Sequence, residues 1–349
     1  MEVEGLKATA LKRVRGHGAE ITGIFAIPQD KASGRAGIVS VDRSGLVLLW
    51  TVSSGEAFQL MQLDLTPTLA AFCSDKNLLA VAGQNKVRIV DLRKREAIGD
   101  SKSLDTNATA IKFSPDCRKV LLGAVDGRVY QWKFAQELSS AGLDNREKQK
   151  LFEAYIGHST VISALAYHPR GRVFFSADWK GSISAWLNYE EDPFMGQWDR
   201  NMFGAGFFAQ APDRRITGDP AGEGIDFLDI SPDGEWLAVA RRGGELEMWQ
   251  VRGFRRVLSF RAHKGVVQAL AFAPDGQRVA TSGRDAKLKI MKISPTGASG
   301  LGGDRYRIDT LREVEIAGIV GIDWLDPELI IAGDGQGKVM EIKVEENRQ

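Results

Sequence analysis

The chain has 349 residues, with 46 Lys plus Arg against 45 Asp plus Glu, 38 Gly and two Cys. A net charge near zero removes any global electrostatic case for binding nucleic acid or an anionic membrane, so a charge-based function has to be local. A chain of this length exceeds a typical single core unless it is modular, each unit burying its face on the next, so repeats decide the domain count.

Cys73 and Cys117 lie far apart with no paired-ligand spacing, which predicts two free thiols, no zinc site and a reducing compartment. The N-terminal stretch MEVEGLKATALKRVRG carries acidic residues and no apolar core, so it does not read as a secretory signal. No apolar run approaches the roughly 20 residues of a membrane helix, which predicts a protein without a membrane span.

In chain order, seven units repeat one pattern: an apolar-alternating strand, a polar turn, a strand rich in small apolar residues, a Gly-containing turn and another alternating strand. The third strands end at Trp50, Val90, Trp132, Trp186, Trp249, Met291 and Ile342. The turns before them read VDRSG (41–45), GQNK (83–86), VDG (125–127), ADWKG (177–181), RRGG (241–244), GRDAK (283–287) and GDGQGK (333–338). First turns are clearest as SPDC (114–117), HPRG (168–171), SPDG (231–234) and APDG (273–276), where Pro and Gly favour a reversal. The best-preserved unit, 157–186, opens on Gly157-His158 and continues through an alternating strand Val161–Tyr167, a strand from Arg172 to Ser176 and a third strand ending at Trp186. Such a three-strand meander cannot bury its faces alone. Helical periodicity is confined to the charged stretch 136–150, which predicts a short exposed helix.

This succession resembles the WD-repeat (WD40) β-propeller family, in which each repeat has Gly-His, three strands, an Asp-Gly turn and a closing Trp-Asp before a fourth strand. The resemblance covers nearly the whole chain. It implies an all-β fold, a single seven-bladed propeller of four-stranded antiparallel blades over 1–349. It also implies that a strand within 9–15 joins the last blade and closes the ring, removing two sheet edges. The uniform Gly-rich repeats and SPDG turns are similar to prokaryotic members. Three connections, 134–149, 187–224 and 294–304, are longer than a propeller needs. The middle one contains Trp198, Phe203, Phe207, Phe208, Arg214 and Arg215; it reads either as a functional loop or as the source of blade four's outer strand through 198–208. The segment near 297–304 reads as a flexible linker.

The family's blades are stabilised by a hydrogen-bond relay joining the Gly-His histidine, the turn Asp, a second-strand Ser or Thr and the third-strand Trp. At the matching positions no unit completes it. His17, Ser40 and Trp50 occur with Ser44 in the Asp position, and His158, Ser176 and Trp186 occur with Lys180 there. His263, Thr281 and Asp285 occur with Met291 in place of Trp, and Asp126 and Trp132 occur without a His. Asp42, Asp178 and Asp334 stand two residues after a second-strand Ser or Ala, where each can accept from a turn amide or a histidine. All of these read as structural. The fourth histidine, His168, lies in a Pro turn with nothing in sequence to pair with it. GDGQGK is no phosphate loop, because Ala332 and Val339 stand where Gly and Ser/Thr are needed.

In such propellers the residue before the turn Asp points to the top-face rim of the central funnel. The matching residues are Arg43, Gly83, Val125, Trp179, Arg242, Arg284 and Gly335, with Arg241 beside them. Three arginines and a tryptophan on one ring suit an acidic or phosphorylated segment, since guanidinium forks pair with carboxylate or phosphate and an indole anchors a peptide. The alternative is a solvated rim with Trp179 packed on its neighbour. The expected function is therefore a non-enzymatic protein–protein interaction scaffold: a monomeric propeller in a cytoplasmic hetero-complex, with no catalytic residues, cofactor or metal. Two other readings remain, an enzyme using the funnel or the 187–224 loop, and a single-stranded nucleic-acid binder using the Arg/Trp rim, which the charge balance disfavours.

Overall fold

Short alternating segments punctuated by turns pair most easily with their chain neighbours, and the described strands from Ile21 onward do so within each blade. In a computed structural model, the residues described are 12–14, 16–27, 36–52, 54–139, 151–187, 214–216, 223–296 and 306–344. Among them are 28 strands and one helix. The strands form seven antiparallel sheets: blade one (21–62), two (69–103), three (108–156), four (162–216), five (225–261), six (267–315) and seven (319–343). The molecule is thus an all-β seven-bladed propeller.

Within each blade the strands succeed one another from the centre outward, and the first strand of each blade packs against that of the next. Burial follows this order. Second strands such as Val173–Asp178 and Trp236–Arg241 are buried along their whole length, whereas the outer strand Glu96–Ser103 is largely exposed. A second strand is covered by the neighbouring blade on each face, which explains its small apolar residues; an outer strand meets solvent and tolerates charge. The seven third-strand landmarks sit near the start of equivalent registers, with Trp50 opposite Ile38, Trp186 opposite Phe174 and Met291 opposite Val279.

Six inner strands carry a register shift at their second residue, as between Ile162 and Ala164, so the strict alternation read from the sequence is broken there. Blade two has no such shift, and its second turn is shorter, with Gln84 and Asn85 both left-handed at φ 52° and 55°. That shortened turn moves its rim position from Gly83 to Gln84.

Ring closure differs from expectation. Lys12–Val14 pairs with Glu56–Gln62, the outer strand of blade one, and blade seven has three strands among the described residues. The alternation of a short polar strand does not name its partner, because either outer edge offers the same free amides and carbonyls. The ring closes instead by apolar packing of Ile21, Ile24 and Ala26 against Leu325 and Ile331. A polar latch supplements it, the Ala26 amide donating to Asp323 Oδ2 at 2.9 Å. A second latch of the same kind joins blades five and six, the Phe272 amide donating to Asp229 Oδ2 at 2.9 Å.

Cys73 and Cys117 form a disulfide with Cα atoms 6.0 Å apart, contrary to the expectation of free thiols. Their sequence separation of 44 hid the stacking of blade two on blade three, which brings them together. The inference of a reducing compartment loses its basis with this pairing.

The helix spans Phe134–Ser139, earlier than expected, because the Phe134 ring is buried against Phe113 and Trp132. Residues 140–150 of the expected helix lie outside the described residues. Among the described residues the outer strand of blade four is Arg214–Ile216, and the stretch 198–208 expected to supply it lies outside them. Blade six's third strand continues to Pro295, which pairs with Tyr306, so Ser294 and Pro295 belong to a strand; the linker expected at 297–304 is not among the described residues.

Candidate functional site

The histidine relay is complete in two blades, because the acidic member comes from the end of the second strand and not from the turn. In blade one, His17 contacts Asp42 Oδ2 at 2.9 Å through Nδ1 and Ser40 Oγ at 2.6 Å through Nε2, and the Trp50 indole donates to the same Oγ at 2.6 Å. Blade four repeats this with His158, Asp178, Ser176 and Trp186 at 2.9, 2.7 and 2.7 Å. With Nδ1–H donating to the carboxylate, Nε2 is left as an acceptor, so the serine donates to it and accepts the indole N–H. The other carboxylate oxygen caps the turn, Asp42 Oδ1 taking the Ser44 and Leu46 amides at 2.9 and 3.1 Å. Ser44 and Lys180, in the place where Asp was sought, are thus turn residues served by the true acid. Burial holds the His17 imidazole below its ordinary pKa despite Asp42, which suits a neutral ring.

The other units differ. In blade six His263 meets Asp285 at 2.8 Å and Thr281 at 2.9 Å, and Met291 is buried where the indole would stand. In blade three the two residues expected to share a relay separate: Asp126 accepts the Tyr130 hydroxyl at 2.8 Å, while Trp132 donates to Glu137 of the helix at 2.7 Å. Asp334 caps its own turn through the Gln336 and Lys338 amides. His168 is buried within its turn, its Nδ1 accepting the Arg170 amide at 3.2 Å.

Blade five uses a different network, which the sequence reading missed. Glu247 is fully buried; it accepts Arg241 Nε and Arg256 Nη1 at Oε1, both at 2.8 Å, and the Trp249 indole at Oε2 at 2.9 Å. Arg241 also donates to the Glu223 carbonyl at 3.2 Å. This removes Arg241 from the rim: it is 4% exposed and occupies the register position of Asp42 and Asp178. The signal in sequence was an acid two residues before the third-strand Trp, with Val239 in place of the second-strand hydroxyl.

The remaining rim residues divide by blade. Arg43 is exposed on blade one and paired with Glu20 at 3.3 Å. Trp179, Arg242 and Arg284 stand on blades four, five and six and line one pocket of about 430 Å³ at the mouth of the channel, with Asp226, Thr109 and Gln268 among its walls. Trp179 is 48% exposed, and the Arg242 guanidinium lies 5.1 Å from its ring centre, within cation–π range. Arg242 is also held by Asp226 Oδ1 at 3.2 and 3.1 Å from Nε and Nη2. Val125, the matching residue of blade three, is 47% exposed, but blade three meets the pocket through Thr109 and not through it. The pocket therefore has an aromatic and apolar side over blade four, from Trp179 and Ile162, and a cationic side over blades five and six.

Deeper in the channel Lys112 Nζ lies 3.8 Å from Asp229 Oδ1, and Asp323 is close enough to feel both charges. Burial, against two amide hydrogen bonds, pushes the Asp323 carboxyl up to about 6. Among the described residues no group of three or more His, Cys, Asp or Glu is placed to hold a metal ion, and no helix is long and apolar enough to cross a membrane.

Comparison with known proteins agrees with this architecture. The family model for the WD domain, G-beta repeat, matches residues 149–186 and 254–291, each running from one blade's outer strand through the next blade's third strand. The chain thus carries WD40 repeats. It is 21% identical over 262 residues to the target of rapamycin complex subunit wat1 of Schizosaccharomyces pombe, covering 72% of this chain and 73% of that protein. It is 22% identical over 270 residues to the serine-threonine kinase receptor-associated protein of Homo sapiens, covering 76% and 66%. Over 306 residues it is 23% identical to telomerase protein component 1 of Mus musculus, where the match takes in 77% of this chain but spans only about a tenth (10%) of the relative.

Proposed function

We propose that this chain is a non-enzymatic interaction platform within a multiprotein complex, and that the channel mouth over blades four to six receives an acidic segment of a protein partner. The observation that carries the reading is the convergence of Trp179, Arg242 and Arg284, one per blade at equivalent turn positions, on a single open pocket. The relay side chains are tied up inside the blades, so they hold the ring while the rim side chains stay available. The similarity to proteins named as a complex subunit and as receptor-associated supports a role in assemblies. Arg284 supplies a cation on the pocket wall and Trp179 a rigid apolar face. Arg43, across the ring and paired with Glu20, is not part of this pocket.

The reading is tested with an array of acidic and neutral peptides. Binding is expected to be confined to acidic sequences and to weaken about tenfold or more in Arg284→Glu and, independently, in Trp179→Ala, with the unfolding midpoint unchanged. Equal binding by the parent and both variants overturns it.

A further inference from the structure

The pocket contains a carboxylate whose ionisation depends on the same arginines that an acidic partner needs. Asp226, on the inner strand Ile225–Ile230 of blade five, has a side chain 14% exposed. Its Oδ1 takes both hydrogen bonds from Arg242, and its buried Oδ2 has no partner. The inner strands on either side, Ile162–Tyr167 and Val267–Phe272, bring no charged residue. On the second strands behind, Asp178 is bound to His158 and Arg241 to Glu247, while the Glu223 carboxylate packs against Gly243. The compensating positive charge at Asp226 thus comes from Arg242 and Arg284. Burial raises this carboxyl above its ordinary range, and those two guanidinium groups pull it back.

We infer that an acidic segment docking at this mouth drives a proton onto Asp226, so that the site binds its partner more tightly as pH falls. The inference rests on the acidic-segment reading above. A ligand carboxylate on Arg284, or on the unused Nη1 edge of Arg242, places a second negative charge beside a poorly solvated first one and draws off the cations that stabilise it. Two carboxylates sharing the same cations cannot both stay ionised at full strength, and the less solvated one takes the proton. One proton moves from solvent to Oδ2, the oxygen without a partner, which cancels the charge of the less solvated carboxylate. Linkage is reciprocal, so proton uptake on binding and strengthening of binding by protons are one coupling.

The experiment is calorimetric titration of the chain with a short end-blocked polyglutamate peptide, in paired buffers of different ionisation enthalpy, from about pH 6 to 7.5, where the peptide stays ionised. The expected result is uptake of a fraction of a proton, up to one per peptide, with affinity falling by at most about tenfold per pH unit. Asp226→Asn, which can still accept from Arg242, is expected to bind with no uptake and a flat pH profile. Peptide binding with no buffer-dependent heat, or uptake that persists in Asp226→Asn, overturns the proton coupling and leaves the acidic-segment reading standing. Absence of binding across the whole range overturns both.

Discussion

Single polar side chains hold this propeller together where apolar packing cannot choose a geometry. Ser40 and Ser176 each serve a histidine and an indole at once, and Asp42 and Asp178 each serve a histidine and a turn, so a few buried groups define the corner of a blade. Asp323 does similar work between blades at a cost. Its carboxyl, raised by burial to about 6, binds protons more tightly in the fold than in the unfolded chain. Such a group penalises the fold fully above pH 6 and is relieved as pH falls toward about 4. The shift corresponds to at most about 3 kcal/mol, and less where channel water screens the charge. In Asp323→Asn one of the two amide hydrogen bonds, from Ala26 or Trp324, is given up, so the net change at pH 7.5 is expected to be small. What should disappear is the gain in stability between about pH 7.5 and 5, measured as the difference in urea midpoints; an identical pH slope in the variant refutes this role.

At the level of elements, the first turns show how one position serves two purposes. Gly171, Gly234 and Gly276 take the left-handed conformation that closes these turns, and Cys117 holds the same place at φ 56°. A side chain there is unfavourable relative to glycine, but the disulfide to Cys73 staples blade two to blade three. Two consequences can be measured. Thiol titration of the protein denatured without reductant is expected to find no free thiol. Cys73→Ser is expected to lose about 2–4 kcal/mol in denaturant unfolding, and Cys117→Gly less than Cys117→Ala, because glycine recovers backbone energy on the order of 1 kcal/mol at this φ. Equal losses in the two Cys117 variants contradict the backbone argument.

For the whole molecule, the question is what closes the ring. The N-terminal strand adds only three ladder pairs to an exposed edge of blade one, whereas the seam between blades seven and one buries Ile21, Ile24 and Ile331 together. Deleting residues 1–15 is therefore expected to move the unfolding midpoint little. Ile331→Ala, at a position with no solvent exposure, is expected to cost about 2–5 kcal/mol and to be the more damaging change. The opposite ranking in urea denaturation restores the N-terminal strand as the clasp.

The sequence alone determined the number of blades, the succession of strands and turns, and the ring positions of Trp179, Arg242 and Arg284, because turn chemistry and apolar alternation are local and repeat seven times. Individual residues within that frame were legible less often. Asp42 and Asp178 were visible as acids near a histidine, but only the extended second strand shows that they, and not the turn positions, meet the ring nitrogens. Arg241 and Arg242 are adjacent in sequence and part completely in space, one buried against Glu247 and the other at the pocket, since neighbouring residues of a strand end face opposite sides. The disulfide, the latches of Asp229 and Asp323, and the partner of the N-terminal strand belong to tertiary structure alone. The disulfide and the two latches join groups in different blades, the N-terminal strand meets an edge more than forty residues further along the chain, and no local pattern encodes which surfaces will meet when the ring forms.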